Sequence, residues 1–276
     1  MPEPELREKD FIAISRYIQE KFGIVLKEEK KELVKTRLSR RVAQLGYATY
    51  GDYLDYVQTN SGEDERVEMV NAISTNLTSF YREAKHFTYL RGEVLPALIK
   101  ANRGKSFKLR GWCTAASSGE EPYTIVMEVL DTLADTPGCD FKLLATDIST
   151  KMLDRAQTGV YNRLQTEDVP STLLEQYFLK GKGQSSTKVK AKDLMKEKIH
   201  FSYLNLVNPF PISKPLDFIF CRNVMIYFDD VTRQQIITRF IHLLKPGGFL
   251  FMGMSEGLSG IQHSLKYVAP SIYRKG

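Results

Sequence analysis

Trp112-Cys113-Thr114-Ala115-Ala116-Ser117-Ser118-Gly119-Glu120-Glu121-Pro122-Tyr123 decides the reading of this 276-residue chain. A strand-like run, Phe107-Lys108-Leu109-Arg110-Gly111-Trp112, leads into it, and an apolar helical run, Tyr123-Thr124-Ile125-Val126-Met127-Glu128-Val129-Leu130, leads out. Small residues at a strand-to-helix turn let a ligand approach the backbone closely. Free N–H groups at the helix start suit the polar end of a nucleotide-like ligand. Two glutamates there suit the helix dipole, and Pro122 suits a first turn. Taken alone, the turn is equally compatible with an ordinary well-capped α/β connection.

Outward from the turn, strands and helices alternate. Phe141 to Asp147 reads as a second buried strand ending in an acid, whose carboxylate at the strand tip can accept hydrogen bonds from both hydroxyls of a ribose. Ser149 then caps a helix to about Thr158. Leu216 to Cys221 is a third buried strand, running into Arg222-Asn223-Val224-Met225-Ile226-Tyr227-Phe228. A helix from Thr232 to Leu244 meets Lys245-Pro246-Gly247-Gly248, a stop that launches the apolar strand Phe249 to Met254. The fold class this predicts is α/β, with a doubly wound, mainly parallel sheet. Such sheets bind ligands beyond the carboxyl ends of their strands, where Glu121, Asp147 and Asn223 fall.

The chain before this region predicts a small all-α domain, from about Asp10 to Thr75. Asp10 is the expected cap of a first helix that Gly23 ends. A second helix runs from about Glu28 to Leu45 and ends at Gly46. Two more follow, Tyr50 to Val57 and Glu65 to Ile73, parted by Asn60-Ser61-Gly62. On the second helix Val34, Leu38, Val42 and Leu45 share an apolar face, and Lys30, Arg37, Arg40 and Arg41 share the opposite one. That basic face is either simply solvated or a docking face for an acidic helical partner, since like charges without interleaved acids repel. A tight linker, Asn76 to Glu83, follows. Lys180 to Lys192 is a basic insert, a hairpin or a loop, between a helix (Leu173 to Phe178) and a strand (Ile199 to Tyr203). The division expected is 1–75 helical and docking, 76–90 linker, and 91–276 α/β, with the small insert at about 179–198.

A hydrophobic content of 42% supports one or two real cores. No apolar run is long enough to span a bilayer and no signal peptide is visible. Met1 to Glu5 is polar and expected to fray. Cys113, Cys139 and Cys221 are scattered, which suggests a reducing cytoplasm. With His86, His200, His242 and His263 also dispersed, no metal site is expected. A net charge of +6 is compatible with nucleic acid, an anionic membrane or an acidic protein surface. There is neither zinc-finger spacing nor an RNA-recognition aromatic motif. No extra apolar stripe asks for burial, so a monomer is the default.

Taken together, these segments resemble the chemotaxis receptor methyltransferases of the CheR type, S-adenosylmethionine-dependent protein-glutamate O-methyltransferases. The resemblance covers nearly the whole chain. It rests on the helical N-terminal part, Thr75-Asn76-Leu77-Thr78-Ser79-Phe80-Tyr81-Arg82-Glu83, Ser117 to Tyr123, Ala145-Thr146-Asp147-Ile148, Phe220 to Phe228, and Lys245-Pro246-Gly247-Gly248, in the family's order. It implies a Rossmann-like methyltransferase domain with a small β-subdomain insert, S-adenosylmethionine as cofactor and S-adenosylhomocysteine as product. Asn76, Thr78 and Arg82 would cover the cofactor, with Arg82 on the methionyl carboxylate. Ala115 would line the site, Glu121 would hold the methionyl ammonium and Asp147 the ribose. Asn205 and Leu206 would flank the adenine, Arg222 and Asn223 would close the methionine end, and Tyr227 would face the transferred methyl. Arg82 and Tyr227 are thus the expected catalytic pair, and Arg37, Arg40 and Arg41 the expected dock for methyl-accepting chemoreceptor cytoplasmic domains. Each has an ordinary alternative: for Arg82 an interdomain ion pair, for Asn205 a turn residue, for Tyr227 a core aromatic. In some members the β-subdomain tethers a receptor peptide; the lysine-rich insert here points to a tether-independent enzyme. The rival readings are a nucleic-acid methyltransferase, for which Asn208-Pro209-Phe210-Pro211 is misplaced, and a non-catalytic cofactor-sensing adapter.

Overall fold

The computed structural model describes residues 4–102 and 105–276; the fraying expected at Met1, Pro2 and Glu3 lies outside them. Four helices form the N-terminal part: α1 (Glu8–Phe22), α2 (Lys31–Gln44, after a 3-10 turn at Glu28–Lys30), α3 (Tyr50–Gln58) and α4 (Glu63–Ile73). They close over Ile14, Ile18, Val34, Leu38, Val42, Tyr50, Tyr53, Val57 and Met69, all fully buried. Gly23 ends α1 in the left-handed region (φ 71°), its N–H bonded to the Gln19 carbonyl. Asp10 is not the cap. The helix begins two residues earlier, and the carboxylate turns back within the first turn to meet Arg7 Nε at 2.8 Å. Leu45 leaves the apolar face expected of it because α2 ends at Gln44, and it stands 43% exposed.

The helix α4 takes up two of the arginines on the basic face of α2, one with acids and one with its carboxyl end. Arg41 Nε bonds Glu65 Oε1 at 2.6 Å and its Nη1 lies 3.2 Å from Glu68. Glu65, 6% exposed, also accepts the Tyr53 hydroxyl at 2.8 Å. Arg37 Nη1 donates to the carbonyls of Ile73 (2.6 Å) and Ser74 (2.9 Å), closing the open C-terminal end of α4. Arg40 alone of the three is exposed. The spacing along α2 could not show this, because the partners lie more than twenty residues away.

Beyond the linker come α5 (Lys85–Tyr89), a π turn (Leu90–Val94), α6 (Leu95–Ala101), β1 (Phe107–Cys113), α7 (Glu120–Thr132), β2 (Cys139–Asp147) and α8 (Thr150–Thr158). Next are β3 (Val160–Asn162), α9 (Ser171–Tyr177), β4 (Phe178–Lys180), β5 (Lys188–Ala191), α10 (Asp193–Lys196) and β6 (Ile199–Tyr203). The chain finishes with β7 (Leu216–Cys221), α11 (Asp230–Leu243), β8 (Leu244–Met252), β9 (Lys266–Ala269) and β10 (Ile272–Arg274). The large sheet has the order β6-β2-β1-β7-β8-β10-β9. Its first five strands are parallel, and β10 runs antiparallel to both neighbours. The small sheet, β3-β5-β4, is antiparallel and draws one strand from well before the basic insert.

Period-two alternation splits the large sheet between two cores. Leu109, Phe218, Phe220, Phe249 and Phe251 join α7 and the small sheet on one face. Trp112, Ile219, Leu250 and Met252 join Ile236, Ile237 and Phe240 of α11 on the other. Gly111 lies where a Cβ would come within 2.2 Å of the Phe218 ring, so the strand needs glycine there. The Lys245 to Gly248 segment is a bulge inside β8 rather than a stop before it. Leu216 pairs with Leu244 and Phe218 with Phe249, two steps against five, and Gly247 absorbs the excess at φ 79°.

Candidate functional site

The carboxyl ends of β1, β2 and β7 open on one side into a cavity of about 1140 Å³, counting its open mouth. Its floor is Thr114, Ala115, Ser117, Asp147, Ile148, Arg222 and Asn223. The linker from Ser74 to Thr78, with Arg82, lies over it, and Leu204, Asn205, Leu206, Tyr227 and Phe228 line it too. Phe22, Ile24, Val25, Leu26 and Leu33 of the helical domain complete the wall. Every residue expected to meet the cofactor, and Tyr227, lines this one cavity; Arg37, Arg40 and Arg41 do not.

The turn after β1 is shaped by backbone strain and by Asp147. Ser117 sits at φ 47° and Gly119 at φ 100°, where a Cβ on Gly119 would press to 2.6 Å from the Tyr161 hydroxyl. The Asp147 carboxylate accepts the N–H of Ser117 at 2.7 Å and of Ser149 at 2.8 Å, joining the turns of β1 and β2. Burial pushes its carboxyl up; those backbone bonds oppose the shift. Each oxygen keeps a further lone pair for a ligand hydroxyl. Ser117 Oγ donates to the Asn76 carbonyl at 2.9 Å, fixing the start of the linker to the same turn.

Arg222 organises the opposite side. Its side chain has no exposure. Nη1 meets Glu121 Oε2 at 2.5 Å, while Nη2 meets Glu83 Oε2 at 3.0 Å and the Arg82 carbonyl. Two carboxylates therefore compensate one buried guanidinium, as a buried charge requires. Arg82 Nη1 donates to the Leu77 carbonyl at 2.8 Å, which curls the linker and leaves the rest of its fork for a ligand. Asn223 adopts φ 56°, and its N–H, with those of Gly253 and Ile226, points at the buried carboxylate of Glu256 at 2.5, 3.0 and 3.1 Å. Asn205 is more than a turn residue: its Nδ2 reaches the Lys21 carbonyl at 2.9 Å while its Oδ1 accepts Val207 N–H. Tyr227 is half-buried, and its carbonyl accepts the N–H of Val25 at 2.8 Å.

The sequence reading missed four contributors. Glu83 closes the quoted linker motif but offers no spacing signal of its own. Glu256 lies in a loop with no periodicity. Thr114 hid among the small residues of the turn. The apolar wall from Phe22 to Leu26 reads in sequence only as a helix end.

The lining fits a small zwitterionic ligand carrying a nucleoside. Carboxylates and guanidinium groups stand at one end, and Ile24, Leu26, Ile148, Leu204 and Leu206 offer an apolar slot. Arg222 Nε is buried without a partner among the described residues, and Thr114 Oγ1 has only the Cys221 thiol, a weak acceptor, beside it.

Comparison with known proteins agrees with this geometry. Residues 9–74 match the all-alpha domain of the CheR methyltransferases and residues 76–273 their SAM binding domain. The chain is 38% identical over 269 residues to the chemotaxis protein methyltransferase of Escherichia coli strain K12, covering 97% of this chain and 91% of that protein. It is 36% identical over 263 residues to the protein of the same name from Borreliella burgdorferi, covering 94% and 92%. It is also 36% identical over 268 residues to chemotaxis protein methyltransferase 2 of Pseudomonas aeruginosa, covering 96% and 92%. The cavity at the strand ends, roofed by a linker between a helical domain and an S-adenosylmethionine-binding domain, therefore belongs to a member of the CheR methyltransferase family.

Proposed function

We propose that this chain transfers the methyl group of S-adenosylmethionine to glutamate side-chain carboxylates on the cytoplasmic helices of chemoreceptors, forming methyl esters in chemotactic adaptation. The observation that carries the reading is the single cavity gathering Arg82, Glu121, Asp147, Arg222, Asn223 and Tyr227 at the sheet's carboxyl edge. The chemotaxis names of its relatives support the substrate class.

When bound, S-adenosylmethionine supplies a methyl group already activated on a sulfonium. The receiving carboxylate, with an ordinary pKa near ~4.3, is ionised at neutral pH and needs no general base. The protein's part is placement and exclusion of water. Asp147 holds the ribose hydroxyls from the strand tip. Arg82 takes the methionyl carboxylate, and Glu121 the ammonium. Asn205 and Leu206 flank the adenine in the apolar slot, and Tyr227, which also lines the cavity, faces the transferred methyl. A guanidinium on the receiving carboxylate would blunt its nucleophilicity, so Arg82 acts by positioning.

Receptor docking falls to Arg40 and its exposed neighbours on α2, because Arg37 and Arg41 are already occupied within the domain. The test is transfer of labelled methyl from S-adenosylmethionine to chemoreceptor-containing membranes, scored as methanol released by alkali. Volatile label is expected, and less of it from Arg40→Glu with cofactor affinity unchanged. Alkali-stable label overturns the ester assignment. Cofactor binding without transfer to any receptor fragment favours a regulatory adapter.

A further inference from the structure

We propose that Glu83 is a positioning residue that fastens the linker over the cofactor cavity, by gripping the loops that leave β7 and β8. The inference rests on the cavity being the cofactor site, and goes beyond it in assigning what keeps that site closed.

Glu83 makes contacts that no neighbouring linker residue duplicates. Its Oε2 accepts Arg222 Nη2 at 3.0 Å and the Met254 N–H at 3.1 Å, and its Oε1 accepts Asn223 Nδ2 at 3.3 Å. One carboxylate thus joins the linker to both exit loops. The backbone is strained at the same place: Tyr81 lies at φ 53° and Glu83 at φ 57°. A side chain other than glycine holds such angles only where its surroundings over-determine them. Two carboxylates do so here. Glu128 on α7 accepts the Tyr81 hydroxyl at 2.7 Å, and the Arg222 cluster takes Glu83. Between them sits Arg82, whose carbonyl is also bonded by Arg222. Its guanidinium therefore lines the cavity from a backbone pinned on both sides. Burial raises the Glu83 carboxyl, but Arg222 and Asn223 outweigh it and hold the group below the usual carboxylate range. The carboxylate is therefore ionised, and its hydrogen bonds are of the stronger, charge-assisted kind.

The experiment compares wild type, Glu83→Gln and Glu83→Asp. It uses calorimetric binding of S-adenosylmethionine and S-adenosylhomocysteine, and hydrogen exchange across residues 76–83. Glu83→Gln should weaken both ligands by roughly tenfold or more, the scale of one lost charged hydrogen bond. It should speed exchange in the linker while exchange in β1, β2 and β7 stays slow. In turnover it should raise the KM for the cofactor more than it lowers kcat, and Glu83→Asp should recover part of the loss. Unchanged affinity and linker exchange in Glu83→Gln overturn the proposal, as does faster exchange throughout the sheet, the mark of a merely structural role. A wild-type chain that binds neither ligand overturns the cofactor reading along with it; a wild type that binds while Glu83→Gln binds equally well overturns this inference alone. Should the variants fail to fold, wild type carries the test. Ligand must slow exchange at 76–83 and at the Met254 amide together, and slowing at only one overturns the proposal.

Discussion

Asp147 serves two roles at once. It anchors two turns through backbone N–H groups and presents the same carboxylate to the cavity. Asp147→Asn keeps the shape but turns a charged acceptor into an amide whose NH2 must face one of the two N–H donors. We expect cofactor affinity to fall about tenfold and unfolding free energy to fall by roughly 1–3 kcal/mol, measured by calorimetry and denaturant titration. Equal affinity would remove the ribose role. His86 gives a pH signature. It is 1% exposed, and its Nδ1 is 3.6 Å from Glu83 Oε2. Burial, then the Arg222 charge, lowers its pKa to about 4 from 6.5. The unfolded chain therefore takes up this proton first as pH falls. Stability from His86 is intact above pH 6.5 and declines as pH drops towards 4, by about 2 kcal/mol between 6.5 and 5. Denaturant midpoints against pH should show that slope, and His86→Gln should flatten it. The acid at the tip of β2 was legible because a strand followed by a carboxylate and a capping serine is a local pattern. Glu83 and Glu256 were not, because the Glu83 carboxylate finds all its hydrogen-bond partners, and that of Glu256 two of three, on loops remote in sequence.

At the scale of elements, β1 and α2 carry the sharpest expectations. Gly111→Ala drives a methyl into the Phe218 ring at the centre of the parallel sheet; it should cost roughly 1–3 kcal/mol, read by thermal or chemical denaturation. An alanine without penalty would mean that the β1–β7 spacing is looser than the contact distance implies. Arg41→Ala leaves Glu65 buried beside Tyr53 without its cation. Loss of one partner of such a pair costs roughly 3–5 kcal/mol when fully buried, and less here because Arg41 is 28% exposed. The helical domain should lose stability visibly, whereas Arg40→Ala should not. Periodicity revealed the apolar stripe of α2 and the strands flanking the central turn, since side chains there alternate against two cores. The β9–β10 hairpin, β3 and the early start of β8 escaped it. These strands are three or four residues long, or begin just before a bulge, and register with distant partners defines them.

Across the whole molecule, the two folded parts meet by specific bonds. Asn71 exchanges hydrogen bonds with Ser149 and Thr150, Asn205 reaches Lys21, and Gln19 reaches Asp229. The order of helical part, linker and α/β part was readable from composition and turn signals. That the helical part also walls the cavity was not, because Phe22, Ile24 and Leu26 bear no mark distinguishing them from ordinary apolar residues at a helix end.

The Val25 N–H on the Tyr227 carbonyl has a consequence for heredity as much as for chemistry. The segment that helps wall the pocket is encoded within the module proposed above to dock the receptor. A chimera taking its first four helices from a relative would import foreign residues at positions 22–26 and disturb methyl transfer even to a receptor it recognises. Exchange of receptor preference between such enzymes should succeed only when substitutions are confined to the outward side of α2, or when the pocket-facing residues are restored to match the recipient.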